Sequence, residues 1–163
     1  MAITNVVKVR RDGTISIFDS GASNTLVVDY EDGNFTFDNG AEQAETVVIR
    51  DRGSIVGLRK TDDPVGSLSF SVHMREFTNS TVDNLCGVLD GERSWVSTGG
   101  TGFEPYMLDV RVTIEGTNFG DQADVTATFT RVLMKWDFSE GDPNVINVSG
   151  EVYGGITYGG ISA

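Results

Sequence analysis

The sequence predicts a mainly β chain: two packed antiparallel sheets, as a sandwich or half-barrel, with one flanking α-helix. Three observations predict it. Apolar and polar residues alternate in several stretches, most strictly over Ser67–Arg75, where Leu68, Phe70, Val72 and Met74 share one face. Helical spacing is convincing only at Ser80–Leu89. The last third, Phe103–Tyr158, reads as three long strands separated by turns. They are too long for the lid of a small pocket and suit a sheet that continues beyond one subunit.

Size and charge narrow the function classes. The 163 residues make one domain with room for a core, and 39% apolar content is globular rather than disordered. Acids outnumber bases 24 to 12. Residues 76–163 alone hold 13 acids and 4 bases, so the C-terminal half is the more acidic. A protein that grips nucleic acid by its phosphates is basic; this composition repels DNA. One cysteine, Cys86, excludes an intramolecular disulfide, and one histidine, His73, argues against zinc. No basic-then-apolar leader is evident at the N-terminus, and no apolar run reaches membrane-spanning length. The expectation is folding in a reducing cytoplasm, with no membrane partner.

Taken in order, Asn5–Phe18 reads as a hairpin turning at Asp12-Gly13, and Thr25–Tyr30 with Asn34–Phe37 as a second turning at Glu31–Gly33. Asp38–Glu45 reads as a loop and Glu45–Arg52 as a strand. Gly53–Gly66 follows, punctuated by Gly and Pro and mixing both charges. It is expected to be a long assembly loop at about 53–66, of a length that is often functional. Ile55, Val56 and Leu58 in it are costly on a free surface, so they need a partner in this subunit or a neighbour. In the helix, Ser80 and Asp83 form a capping box, Val82, Leu85, Cys86 and Leu89 an apolar stripe, and Gly91 a left-handed cap. Pro105–Glu115 alternates with Leu108, Val110, Val112 and Ile114 inward. The strand from Ala123 to Asp137 changes phase near Thr130-Arg131, between Val125/Ala127/Phe129 and Val132/Met134/Trp136/Phe138. A β-bulge or a passage between sheets does this, so one strand is expected to serve two packing surfaces. Val145–Tyr153 returns with Ile146, Val148 and Val152 inward, and the glycine-rich Gly154–Ala163 ends the domain.

Catalytic patterns are missing. There is no nucleophile elbow, no His-Glu-x-x-His and no phosphate loop. The paired carboxylates Asp62-Asp63 and Glu140/Asp142 sit in turns, where acids stabilise local geometry. Asp29, Glu31 and Asp32 lack the ligand spacing of a calcium loop. The expectation is a protein that is not an enzyme and needs no cofactor or metal.

From Glu45 onward the order of elements resembles phage tail tube proteins, the major tail protein family. The residues that carry the resemblance are the charged stretch Gly53–Gly66, the alternating strand Gly66–Met74, the single helix, and Lys135–Asn144 followed by Val145–Val152, which is similar to the C-terminal hairpin of such proteins. The Hcp-like tube proteins of type VI secretion are a close alternative. The resemblance implies one tail-tube-like domain over 1–163, forming homo-hexameric rings that stack into a hollow tube. DNA passes through it without specific binding. Its partners are further copies of itself and the tape measure, baseplate or tip, and terminator proteins, and its place is the virion, after assembly in the host cytoplasm. In that reading Ser67, Ser69, Ser71, Asp109, Thr113, Glu115, Asp124, Thr126 and Thr128 are candidates to face the lumen, with Arg111 and His73 departing from an acidic lining. Ile55, Val56, Leu58, Arg59, Lys60, Asp62 and Asp63 are candidates to bridge rings. The rival classes are an acid-chemistry enzyme and a monomeric β-sandwich that binds carbohydrate or a cell surface. The latter needs an exposed aromatic platform, for which Trp95, Tyr106 and Trp136 are available.

Overall fold

Phe129 lies at the centre of the core, fully buried on the longest strand. The computed structural model describes residues 13–19, 24–28, 34–40, 46–60, 63–73, 85–91, 95, 105–117 and 123–160. These form β1 (Gly13–Asp19), β2 (Asn24–Val28), β3 (Thr36–Asp38), β4 (Thr46–Asp51), β5 (Ser54–Lys60), β6 (Gly66–His73), α1 (Leu85–Leu89), β7 (Leu108–Ile114), β8 (Val125–Ser139), β9 (Val145–Val152) and β10 (Ile156–Gly159). The chain is mainly β, with two antiparallel sheets and, among the described residues, a single short helix. The sheets are unequal. Eight strands run β2-β1-β7-β8-β9-β6-β3, with β10 beside β8, and β4-β5 stand as a separate pair.

Alternation decides which face of the large sheet is core. Ile15 and Ile17, Leu68 and Phe70, Leu108 and Val110, and Ile146 and Val148 are all buried, each pair spaced by two. Val88 and Leu89 of α1, with Trp95, close over this face. The helix end is held by Asp90 N–H donating to Cys86 O at 2.9 Å, by Gly91 at φ 72°, and by Tyr106 Oη donating to Val88 O at 2.7 Å. The sheet also bends strongly. β3 and β8 are separated by β6 and β9, which on a flat sheet sets them roughly 14 Å apart. Yet the Phe37 and Phe35 rings reach the Phe129 ring at 5.2 and 5.8 Å.

The phase change at Thr130-Arg131 is a β-bulge. Leu108 faces Val132 and Val110 faces Phe129, so Asp109 alone opposes both residues between. Arg131 adopts φ 53° and its N–H donates to Asp109 Oδ1 at 2.9 Å. The consequence differs from expectation. Phe129 and Val132 join one core cluster, so the bulge keeps both halves of β8 on one packing surface instead of dividing them between two. The inward run also fades toward its end, where Phe138 is 46% exposed.

Several local expectations are corrected. β2 pairs with β1, and β3 with β6, so Thr25–Tyr30 and Asn34–Phe37 do not form a hairpin together. The neighbours of β1 are β2 and β7; the strand expected at Val6–Val9 lies outside the described residues, as do Ser80, Val82 and Asp83 of the expected helix. Cys86 is half-buried, and Val88, absent from the expected stripe, is fully buried. The glycine-rich tail does not simply end the domain. After an irregularity at residues 153–155, β10 continues along β8, pairing Ile156 with Phe129 and Gly159 with Thr126.

Candidate functional site

Two surfaces stand out: a hairpin arm and a hydroxyl-rich sheet face. The arm is β4 and β5. Arg52 at φ 48° and Gly53 at φ 87° make a two-residue turn with both central residues left-handed, the geometry whose twist matches a β-hairpin. The stretch expected as a loop is therefore mostly strand. Its partner strand holds the Val47-Val48-Ile49 run, which the sequence expectation passed over although three consecutive apolar residues could have signalled a two-faced surface. Val48 pairs with Leu58 and Val47 with Arg59, so adjacent rungs point to opposite faces. Both faces are bare: Val47, Val48 and Ile49 are exposed, Ile55, Val56 and Leu58 more so at 59%, 65% and 67%, and only Gly57 is half-buried. The arm carries Arg50, Arg52, Arg59 and Lys60 against Asp51 alone, so it is basic on an acidic protein. Lys60 Nζ lies 3.7 Å from Asp63 Oδ1, an exposed pair of little energetic weight. Asp62 lies outside the described residues.

The second surface is the face of the large sheet turned away from the core. Register places Thr14, Thr113, Thr126 and Gly159 in one row and Ser16, Arg111, Thr128 and Thr157 in the next. Farther along the same face, Thr36, Ser69, Ser149 and Lys135 form a row, flanked by Asp38, Ser67, Glu151 and Leu133 and by Ser71, Asn147 and Asp137. Ser67, Ser69, Ser71, Asp109, Thr113, Thr126 and Thr128 thus share one face of one sheet. Thr14, Ser16, Thr36, Ser149 and Thr157 extend it, and pairing alone brings them in. Thr36 Oγ1 and Ser69 Oγ are hydrogen-bonded at 2.8 Å, and Asn34 Oδ1 accepts from Ser71 N–H at 2.9 Å, closing part of the β6 edge. A recess of about 450 Å³ opens over Thr36, Ser67, Ser69, Ser149, Lys135 and Glu151.

Not every candidate on this surface is free to act. Asp109 holds the bulge. Asp124 lies just before β8, and its Oδ1 accepts from Gly116 N–H at 3.0 Å, Thr117 N–H at 3.1 Å and Thr117 Oγ1 at 3.0 Å, fastening the turn into β8. Glu115 lies just past β7. Arg111 joins Lys135 as a cation on the face: its guanidinium lies 4.8 Å from the Phe18 ring centroid, and its Nε donates to Thr128 Oγ1 at 3.2 Å. His73 is half-buried at the end of β6.

Burial, and then the Asp90 charge, push the Cys86 thiol up from its ordinary range, the wrong direction for a nucleophile. Tyr153 Oη donates to Glu151 Oε2 at 2.6 Å, which raises that phenol's pKa. Among the described residues no cluster of three His, Cys, Asp or Glu gathers as a metal site, and no helix is long and apolar enough to cross a membrane. The exposed aromatic platform that the rival binding-module reading needs does not form from its three candidates. Trp95 is buried, Tyr106 is half-buried with its hydroxyl on Val88 O, and Trp136 is half-buried with Nε1 donating to Asp90 Oδ1 at 2.9 Å.

Comparison with known proteins adds a likeness of fold. No family model and no curated protein matches the chain. A solved structure does: a chain of the cryo-EM structure of the anti-feeding prophage baseplate, 6-fold symmetrised. The two are 12% identical, the alignment covers 100% of both chains, and the TM-score is 0.57. At that identity the likeness is one of fold, and it extends over the whole chain.

Proposed function

We propose that this chain is a structural subunit of a phage-type tail particle, not an enzyme. In this reading it forms hexameric rings that stack into a hollow tube, and DNA crosses the tube during ejection. The observation that carries the proposal is the arm. Six large apolar side chains exposed on both faces of a two-stranded hairpin are unstable as a free surface and await a partner. Burying them at roughly 25 cal/mol per Å² supplies the driving force for assembly. Full-length fold likeness to a chain of a six-fold symmetrised prophage baseplate supports the reading and the ring symmetry.

The hydroxyl face suits a wall past which a polyanion slides. Its serines and threonines offer neutral, short contacts, and the surrounding acids repel phosphates. Ser67, Ser69, Ser71, Thr113, Thr126 and Thr128 are assigned to that wall. Asp109 and Asp124 are assigned to holding its shape. The tape measure, tip and terminator proteins are the expected partners, and the virion the expected location. An Hcp-like secretion tube uses the same assembly and differs in cargo.

Sedimentation velocity tests the proposal. The wild type is expected to sediment as a species near six times the 17.6 kDa subunit mass, or larger. Leu58→Ser with Val56→Ser is expected to leave a folded monomer. A wild-type protein that stays monomeric at high concentration, with tail partners present, would overturn it.

A further inference from the structure

We infer that the arm of one copy docks by strand addition onto the free edge of β8 in another copy, along Leu133–Ser139. This rests on the self-assembly reading and specifies the contact it uses. β8 has β9 on one side over Val132–Ser139, while β7 on the other side reaches only to Val132. Leu133–Ser139 therefore presents an open edge among the described residues. Seven residues of strand are about 24 Å of unpaired N–H and C=O groups. Natural proteins close such edges with proline, short strands or a covering loop. Here the edge strand is long, lacks proline, and carries the exposed Phe138 next to its last residue.

The arm fits that edge in three respects. β4 and β5 pair only with each other, so each keeps an outer edge open among the described residues. Their lengths, 6 and 7 residues, match it. Their charge complements it: the arm has four bases to one acid, whereas Leu133–Asn144 has Asp137, Glu140 and Asp142 against Lys135. Backbone pairing supplies direction and register, the apolar arm residues settle beside Trp136 and Phe138, and the charges select this edge over others. The β3–β6 edge competes poorly, because the Asn34 amide already occupies Ser71 N–H.

Charge exchange combined with hydrogen exchange tests the contact. Arg50→Glu with Arg59→Glu, and separately Asp137→Lys with Glu140→Lys, should each reduce the assembled fraction at least tenfold. The four changes together should restore most of it. In assembled wild type, amides of both the arm and Leu133–Ser139 should exchange at least tenfold more slowly than in dissociated protein. Assembly that survives both exchanges, or combined changes that fail to restore it while the monomer stays folded, would overturn the docking site and leave self-assembly standing. Protection of the arm without protection of Leu133–Ser139 would place the arm on another surface or another protein, and also overturns it. Wild type that never assembles removes the parent reading and this contact together.

Discussion

Asp109 shows how a single side chain here serves shape before surface chemistry. Its carboxylate faces the two bulge residues of β8 and accepts the Arg131 N–H, a backbone donor that the ladder leaves unpaired. Asp109→Ala should cost about 1–3 kcal/mol, because an unsatisfied donor is more expensive than an absent bond. Chemical denaturation measures this; a loss below about 0.5 kcal/mol would mean the bulge is held elsewhere. Charge reversal at Asp109 or Asp124 is therefore a poor probe of a conduit wall, since both carboxylates fasten backbone. Tyr106 gives a pH signature. Burial, and then the charges of Asp19 and Asp90, hold its phenol protonated well above the ordinary range. The folded pKa is the higher, so this contribution is complete below about pH 10 and is lost as pH rises through the folded value. Tyr106→Phe should flatten the alkaline fall in melting temperature and cost about 1 kcal/mol at neutral pH from the lost bond to Val88 O. An alkaline limb unchanged in the variant would assign the fall to other groups.

Elements differed in how far the sequence revealed them. β6, β7 and β9 were legible because each has one dry face and one wet face, and period-two alternation records that directly. The bulge was legible because Phe129 and Val132 must both point inward, which only an odd insertion allows. Its consequence was not, since phase alone does not tell one packing surface from two. Pairing of β1 with β7 and β3 with β6 was hidden, because local turn signals cannot report partners about a hundred, or about thirty, residues away. The glycine tail read as an ending, yet β8 offers it an edge, and backbone pairing does not require apolar side chains. Of the candidate site, the exposed need of Ile55, Val56 and Leu58 was legible; that a strand carries them was not, because Gly53 and Gly57 read as loop. At this scale, Phe129→Ala should destabilise by about 3–5 kcal/mol. It empties the point where the Phe35 and Phe37 rings meet β8. Calorimetry reporting under about 1.5 kcal/mol would mean the core collapses around the gap.

At the scale of the molecule, the large sheet and the arm divide the work. The sheet buries one face under α1 and Trp95 and keeps the other short-chained and polar. The arm gains no such cover among the described residues. In the proposed assembly, folding and association are separable: changes on the arm are expected to spare the monomer, because its side chains already face water. Leu58→Ser should shift the melting temperature of the monomer by under about 2 °C, as surface substitutions do, while abolishing association. A variant that melts far lower would instead show the arm packed within its own chain. The opposite pattern is expected for core substitutions, which lower stability first and assembly only as a consequence.

Electron microscopy of the concentrated wild-type protein tests the central claim most directly. The account predicts six-fold rings, stacking into tubes with a central channel, and their absence from Leu58→Ser prepared identically. A uniform field of monomers from the wild type, or equal rings from the arm variant, would contradict it.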